Sequence, residues 1–163
     1  MNSTLYVADG SSPNGFREAT LDDVLDGARR ALAARVRKGA TLNSPRALRD
    51  LLLTRFSARD HEVFVAIYLD TRHRLIAIDE LFRGTIDGAT VHPREVVKEA
   101  LGHNAAAVIF AHNHPSGVAE PSHADELITR RLKEALAMLD IRVLDHLVLA
   151  GGEVVSFAER GLI

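Results

Sequence analysis

Seven consecutive residues, Val63-Phe64-Val65-Ala66-Ile67-Tyr68-Leu69, carry no charged group. The run is short, bounded by polar residues and rich in β-branched and aromatic side chains, so it reads as a buried strand. Asp70-Thr71-Arg72-His73 then reads as a turn, and Leu75-Ile76-Ala77-Ile78 as the hairpin partner running on towards Phe82. A second buried strand, Ala106 to Ala111, leads directly into His112. Elsewhere the apolar spacing becomes helical. Leu21, Val24, Leu25, Ala28, Leu32 and Val36 mark a helix running to Gly39, with Thr20 as cap and Asp23 three residues on. Ser44-Pro45 starts a second helix, carrying Leu48, Leu51, Leu52 and Phe56. His92-Pro93 opens a third, ending near Gly102 to Asn104, and Ser122 caps a fourth that runs to about Leu139. Ile141 to Leu149 is a strand, Gly151-Gly152 a turn, and Val154 to Phe157 a last strand. Two helices followed by β-β-α-β-α-β-β predict an α/β fold, a mixed β-sheet flanked by helices with an N-terminal helical extension. Residues 1–18, with Gly10, Pro13 and Gly15, show no periodic apolar face and read as a loose leader. The expected organisation is a flexible leader and N-terminal helix over residues 1–41 and one domain over 42–163.

Several function classes are excluded or weakened by composition. The 163 residues include no cysteine, which removes thiolate nucleophiles and cysteine zinc sites and fits a reducing compartment. Met1 to Gly15 does not resemble a signal peptide, and no apolar run approaches a membrane span, so a cytoplasmic location is expected. With 20 basic and 22 acidic residues the net charge is -2, which offers a nucleic-acid partner no electrostatic support. Arg29, Arg30, Arg35, Arg37 and Lys38 cluster locally, but such a run reads as a solvated helix face.

The chemistry concentrates after the second buried strand, in His112-Asn113-His114-Pro115. Residues i and i+2 on extended backbone point to one side, so the two imidazoles converge, and Pro115 biases His114 towards extended geometry. Asp125 lies one turn into the helix whose start faces the same loop. Two histidines and a carboxylate, with a fourth position open to water, form the donor set of a catalytic zinc site. Ser122 with Asp125 is also a capping box, and both roles can hold at once.

These residues resemble a known family. His112-Asn113-His114-Pro115, then Ser122, then Asp125, is similar to the JAMM signature of the MPN/JAB1 metalloprotease superfamily. The wider chain resembles the bacterial RadC proteins, through Glu80-Leu81-Phe82-Arg83-Gly84-Thr85, Val91-His92-Pro93-Arg94-Glu95-Val96, Asn104-Ala105-Ala106-Ala107, His112 to Gly117, Thr129 and Leu144-Asp145-His146. The likeness covers about residues 42 to 163. Asn113 departs from the general JAMM pattern, which has Ser or Thr there, and follows the RadC-like one. Longer RadC proteins carry an N-terminal helix-hairpin-helix region. The stretch before the match is too short for it, so a DNA-binding role of that region does not carry over.

The resemblance implies a three-layer MPN/JAB1 architecture, related to that of cytidine deaminases, and a hydrolase of amide or isopeptide bonds. It implies one Zn2+ per chain, held by His112, His114 and Asp125. Glu80 would be the general base, and Ser122 would hydrogen-bond the oxyanion or the zinc-bound water. From the residues alone, Glu80 reads as a solvated strand-end carboxylate. Alternation puts the neighbouring Asp79 on the opposite face. His146 reads as structural or as a support to the ligands, and His123 as exposed. His61, His73, His92 and His103 receive no chemistry. The partner expected is a protein or peptide substrate, with a homodimer as a further expectation. The competing readings are a non-catalytic MPN binding module and an accessory protein of DNA repair. A zinc deaminase would need the cysteines this chain lacks.

Overall fold

The structure is a computed structural model that describes residues 4–35, 45–56, 59–84 and 91–163. In chain order the elements are β1 (Tyr6–Ala8), β2 (Phe16–Glu18), α1 (Leu21–Arg35), α2 (Pro45–Phe56), β3 (Val63–Leu69) and β4 (Leu75–Arg83). They continue with α3 (Pro93–Gly102), β5 (Ala107–Asn113), α4 (His123–Ala137), β6 (Arg142–Ala150) and β7 (Glu153–Ser156). Ser44 and the predicted continuation of the first helix to Gly39, with Arg37 and Lys38, lie outside the described residues.

The apolar run Val63–Leu69 becomes an inner strand, and every residue of it is buried. It pairs antiparallel with β4 on one side and β5 on the other, with Phe64 opposite both Phe82 and His112. β5 and β6 run parallel, which requires a long crossover, and α4 supplies it. β7 returns antiparallel to β6, giving the order β4-β3-β5-β6-β7 among the described residues.

Because side chains alternate along β3, each face of the sheet needs its own cover. Val63, Val65, Ile67 and Leu69 pack with Leu48, Leu51, Leu52 and Phe56 of α2. Phe64, Ala66 and Tyr68 pack with Val96 and Ala100 of α3 and with Leu132 and Leu136 of α4. The result is the expected mixed α/β arrangement in three layers, consistent with a JAB/MPN fold. α1 lies against α2, and Arg29 Nε donates to the Thr54 carbonyl at 3.2 Å. The start of its predicted apolar stripe is not buried: Leu21, Val24 and Ala28 are exposed. No helix among the described residues is long and apolar enough to cross a membrane.

Two short strands lie within residues 1–18, the stretch read from the sequence as a loose leader. Tyr6–Ala8 pairs with Phe16–Glu18 as a small hairpin. Asp9 closes it: its backbone N–H donates to Gly15 O at 2.9 Å, and its carboxylate accepts from the Ser11 N–H at 2.9 Å. Gly15 sits at φ +71, a conformation that favours glycine. Strands of three residues are too short to show a periodicity.

Leu52 is fully buried between α2 and the sheet. Leu52→Ala should lower unfolding free energy by about 2–5 kcal/mol in a denaturant titration. A loss under about 1 kcal/mol would mean that α2 does not cover this face.

Candidate metal centre

The centre is built where β5 ends and α4 begins. His112 is buried on the face covered by α3 and α4. His114 N–H donates to Leu149 O at 2.8 Å, which extends the pairing with β6 past β5 and keeps the backbone straight. Both imidazoles therefore reach one point. The chain then turns, with Gly117 N–H donating to His114 O at 3.1 Å and Gly117 at φ +80. The turn after β6 comes close here: a Cβ on Gly151 would lie 3.2 Å from Gly117 O.

α4 brings in the carboxylate. Ser122 is its N-cap, and Asp125 completes the capping box. Asp125 Oδ2 accepts from the Ser122 N–H at 2.7 Å and from the Ser122 hydroxyl at 2.6 Å. That fixes the carboxylate against the histidines, with Oδ1 3.3 Å from His112 Nε2 and Oδ2 3.5 Å from His114 Nε2. His112 Nε2 and His114 Nε2 are 2.9 Å apart. One ligand atom from each of the three residues falls within 4.8 Å of the others.

Hydrogen bonds determine where the protons sit. The Thr129 hydroxyl donates to the Asp125 carbonyl at 2.5 Å, so its oxygen accepts from His146 Nδ1 at 2.6 Å. His146 is fully buried, with its ring among Phe64, Phe110 and Phe157. Burial, and next the neighbouring His112, push its pKa well below the ordinary range, so it is neutral. Its Nε2 is then an acceptor and takes the His112 Nδ1 proton at 2.8 Å. His114 Nδ1 donates to Val118 O at 2.8 Å. Both outer nitrogens thus carry their protons outward, and both Nε2 lone pairs point at each other and at Asp125. Two acceptors and a carboxylate at this range make a donor set that could hold a cation between them. The hydrogen bond with Asp125 raises the His114 pKa. Burial pushes the Asp125 carboxyl up, but hydrogen bonds from His112 and His114 overcome it and hold the pKa well below the carboxylate range.

His112, His114, Asp125 and Ser122 are therefore brought together, while Glu80 is not. The register steps by one residue between Phe64 and Val65, placing Glu80 opposite Val65 and Asp79 opposite Ala66. Paired residues share a face, so Glu80 lies on the α2 side, away from His112, with Arg59 Nη2 3.4 Å from its Oε1. Ser122 commits its hydroxyl proton to Asp125 and acts here on the ligand.

One residue that sequence reasoning passed over, Glu62, acts on the centre through its charge, and Asn113 holds the chain on either side of it. Glu62 stands on the chain entering β3, and its charge helps raise the His114 pKa. Asn113, on the other face of β5, is fully buried. Its Oδ1 accepts from the Val63 N–H at 2.8 Å and its Nδ2 donates to His61 O at 3.0 Å. Asn113 so grips the chain on both sides of Glu62. His146 is the support to His112 that the sequence suggested. Asp145 secures it, accepting from the His146 N–H at 2.8 Å, the Ser156 hydroxyl at 2.6 Å and the Ala158 N–H at 3.0 Å. His123 is exposed and His92 stands at the N-cap of α3. His61 pairs with Asp60, His73 with Arg142 and His103 with Asp79.

A three-layer α/β sheet with a His-x-His-Pro strand end facing a helix-borne aspartate defines a JAB-type domain. The profile of the RadC-like JAB domain matches residues 42–162, and the chain belongs to that family. It is 58% identical over 154 residues to a UPF0758 protein of Nitrosomonas eutropha, covering 94% of this chain and 68% of that one. It is 60% identical over 143 residues to a UPF0758 protein of Nitrosococcus oceani, with 88% and 64% covered. It is 62% identical over 141 residues to a UPF0758 protein of Cellvibrio japonicus, with 86% and 63% covered. The chain spans about two thirds of the length of these relatives.

Thr129→Val removes the acceptor of the His146 proton and frees that ring to change tautomer. Zinc affinity, measured by competition with a chromophoric chelator, should fall about 10–100-fold. Unchanged affinity would show that the buried relay does not set the lone pair on His112.

Proposed function

We propose that this chain is a zinc-dependent hydrolase of amide or isopeptide bonds of the JAMM type. The observation that carries the reading is the convergence of two histidine lone pairs and one carboxylate, each fixed from behind by a hydrogen bond. The donors fit zinc: two imidazole nitrogens and a carboxylate oxygen are the ligands of an open catalytic site. His112, His114 and Asp125 would hold the ion. Zinc bound there supplies Lewis acidity, polarising a carbonyl and making water acidic enough to attack near neutral pH.

The chain's own groups supply the rest. Glu62 takes the part first expected of Glu80, because it is the carboxylate outside the donor set whose charge acts on His114. It would accept the proton of the attacking water and return it to the leaving amine nitrogen. Asn113 positions Glu62 through the bonds to Val63 N–H and His61 O, and Ser122 holds Asp125. The relay through Thr129 and His146 orients a nitrogen lone pair at the centre, which a non-catalytic scaffold would not need. The substrate class is a protein or peptide carrying the amide.

Elemental analysis and turnover on a panel of peptide and isopeptide substrates test this. His114→Ala should lose zinc and activity together. Glu62→Gln should keep zinc and lower kcat by about 100-fold or more, whereas Glu80→Gln should be nearly neutral. Failure of the wild type to bind zinc, or equal losses in the Glu62 and Glu80 variants, would overturn the assignment. Asn113→Ala should also cost about 1–3 kcal/mol of stability for the groups it orphans, read by denaturation.

A further inference from the structure

Outside the centre, a second group of potential ligands stands at the open edge of the sheet. Asp79 on β4, Glu99 on α3 and His103 just after α3 each offer one ligand atom, and these atoms lie within 4.8 Å of one another. All three residues are half-buried. β4 has β3 on one side and no partner strand on the other among the described residues. A cleft runs along it, lined by Asp79, Glu80, Glu95 and Glu99, with Arg55 as a cationic group on its wall. His103 Nε2 stands 2.6 Å from Asp79 Oδ2.

An independent observation comes from beneath. Tyr68 is fully buried, and its hydroxyl has no hydrogen-bond partner among the described groups. Such an orphan is uncommon in a folded protein. Its ring lies 4.5 Å from that of His103, centroid to centroid. Burial, then the charges of Asp79 and Glu99, push its ionisation upward, so the phenol stays protonated, a donor near enough to feel both carboxylates. Phenylalanine serves on the same face of the same strand at Phe64. The hydroxyl at Tyr68 thus has a use only if an acceptor is brought within reach.

We propose that Asp79, Glu99 and His103 form a second divalent-cation site, distinct from the β5–α4 centre, that takes a first-row transition ion. Two carboxylates balance a double positive charge, and the imidazole adds a nitrogen donor. Mixed oxygen and nitrogen donors favour Zn2+ or Mn2+ over Mg2+ and Ca2+, which prefer oxygen alone. When the carboxylates turn onto the ion, an oxygen left off it becomes the acceptor that the Tyr68 hydroxyl lacks. The ion ties the unpaired edge strand to the end of α3, so its role is to brace that edge.

The test counts ions. The full chain is dialysed to equilibrium against ZnCl2, and separately against MnCl2, and bound metal is read by elemental analysis. Wild type should hold two equivalents of zinc. His114→Ala with Asp125→Ala should hold one, Asp79→Ala with His103→Gln should hold one, and all four changes together should hold none. The His114→Ala, Asp125→Ala protein should also rise in Tm when MnCl2 is added, and adding Glu99→Gln should abolish that rise. Tyr68→Phe should weaken the second equivalent severalfold and leave the first unchanged. The proposal is overturned if the His114→Ala, Asp125→Ala protein binds no ion. It is also overturned if Asp79→Ala with His103→Gln leaves the count at two. Should that last variant fail to fold by circular dichroism, Glu99→Gln alone gives the same count and decides the matter.

Discussion

Burial of His146 among Phe64, Phe110 and Phe157 deprives that imidazole of its charge, because an ion desolvated among three aromatic rings would be strongly disfavoured. From that neutral ring the rest of the centre follows. With its Nδ1 proton given to Thr129, its Nε2 must accept, so His112 must donate from Nδ1 and present Nε2 bare. Thr129 in turn is oriented by the Asp125 carbonyl. The residue that offers a carboxylate to the centre therefore also anchors, through its backbone, the relay that prepares the opposite ligand.

Much of this was legible in the sequence, for identifiable reasons. Periodicity revealed α2, α3 and α4, because one face of each is buried against the sheet, and uninterrupted apolar runs revealed β3 and β5, because both their faces are. His112, His114 and Asp125 could be grouped because a strand alternates at two residues and a capped helix begins just beyond. The proposed base could not be chosen in the same way. Asp79 and Glu80 were rightly set on opposite faces, but which one faces the histidines depends on the register step beside Leu81, a property of strand pairing that one strand does not reveal. Glu62 precedes the apolar run and looks like its polar boundary. Only the approach of the chain entering β3 to the end of β5 brings its charge to bear on His114.

Asn113 illustrates a different limit. Its place between two metal-type histidines suggests a spacer, and on alternation it must point away from them. That face is where the chain entering β3 passes, and the amide bonds it with both its donor and its acceptor. An amide suits this position because one group must receive an N–H and supply one at the same time, which a hydroxyl of Ser or Thr does over a shorter reach. The grouping of Asp79, Glu99 and His103 was invisible for a similar reason: edge strand and helix end meet only once the sheet is assembled.

The parallel pairing of β5 with β6 has a consequence for assembly. His112, His114 and Asp125 lie close in the chain, so the donor atoms are near one another before the sheet is complete. His146 arrives only when β6 docks beyond the α4 crossover. Until then His112 is free to carry its proton on either nitrogen. On the proposed zinc reading, tight capture would be reserved for chains that have closed the crossover, and bound metal would favour the finished fold over its precursors.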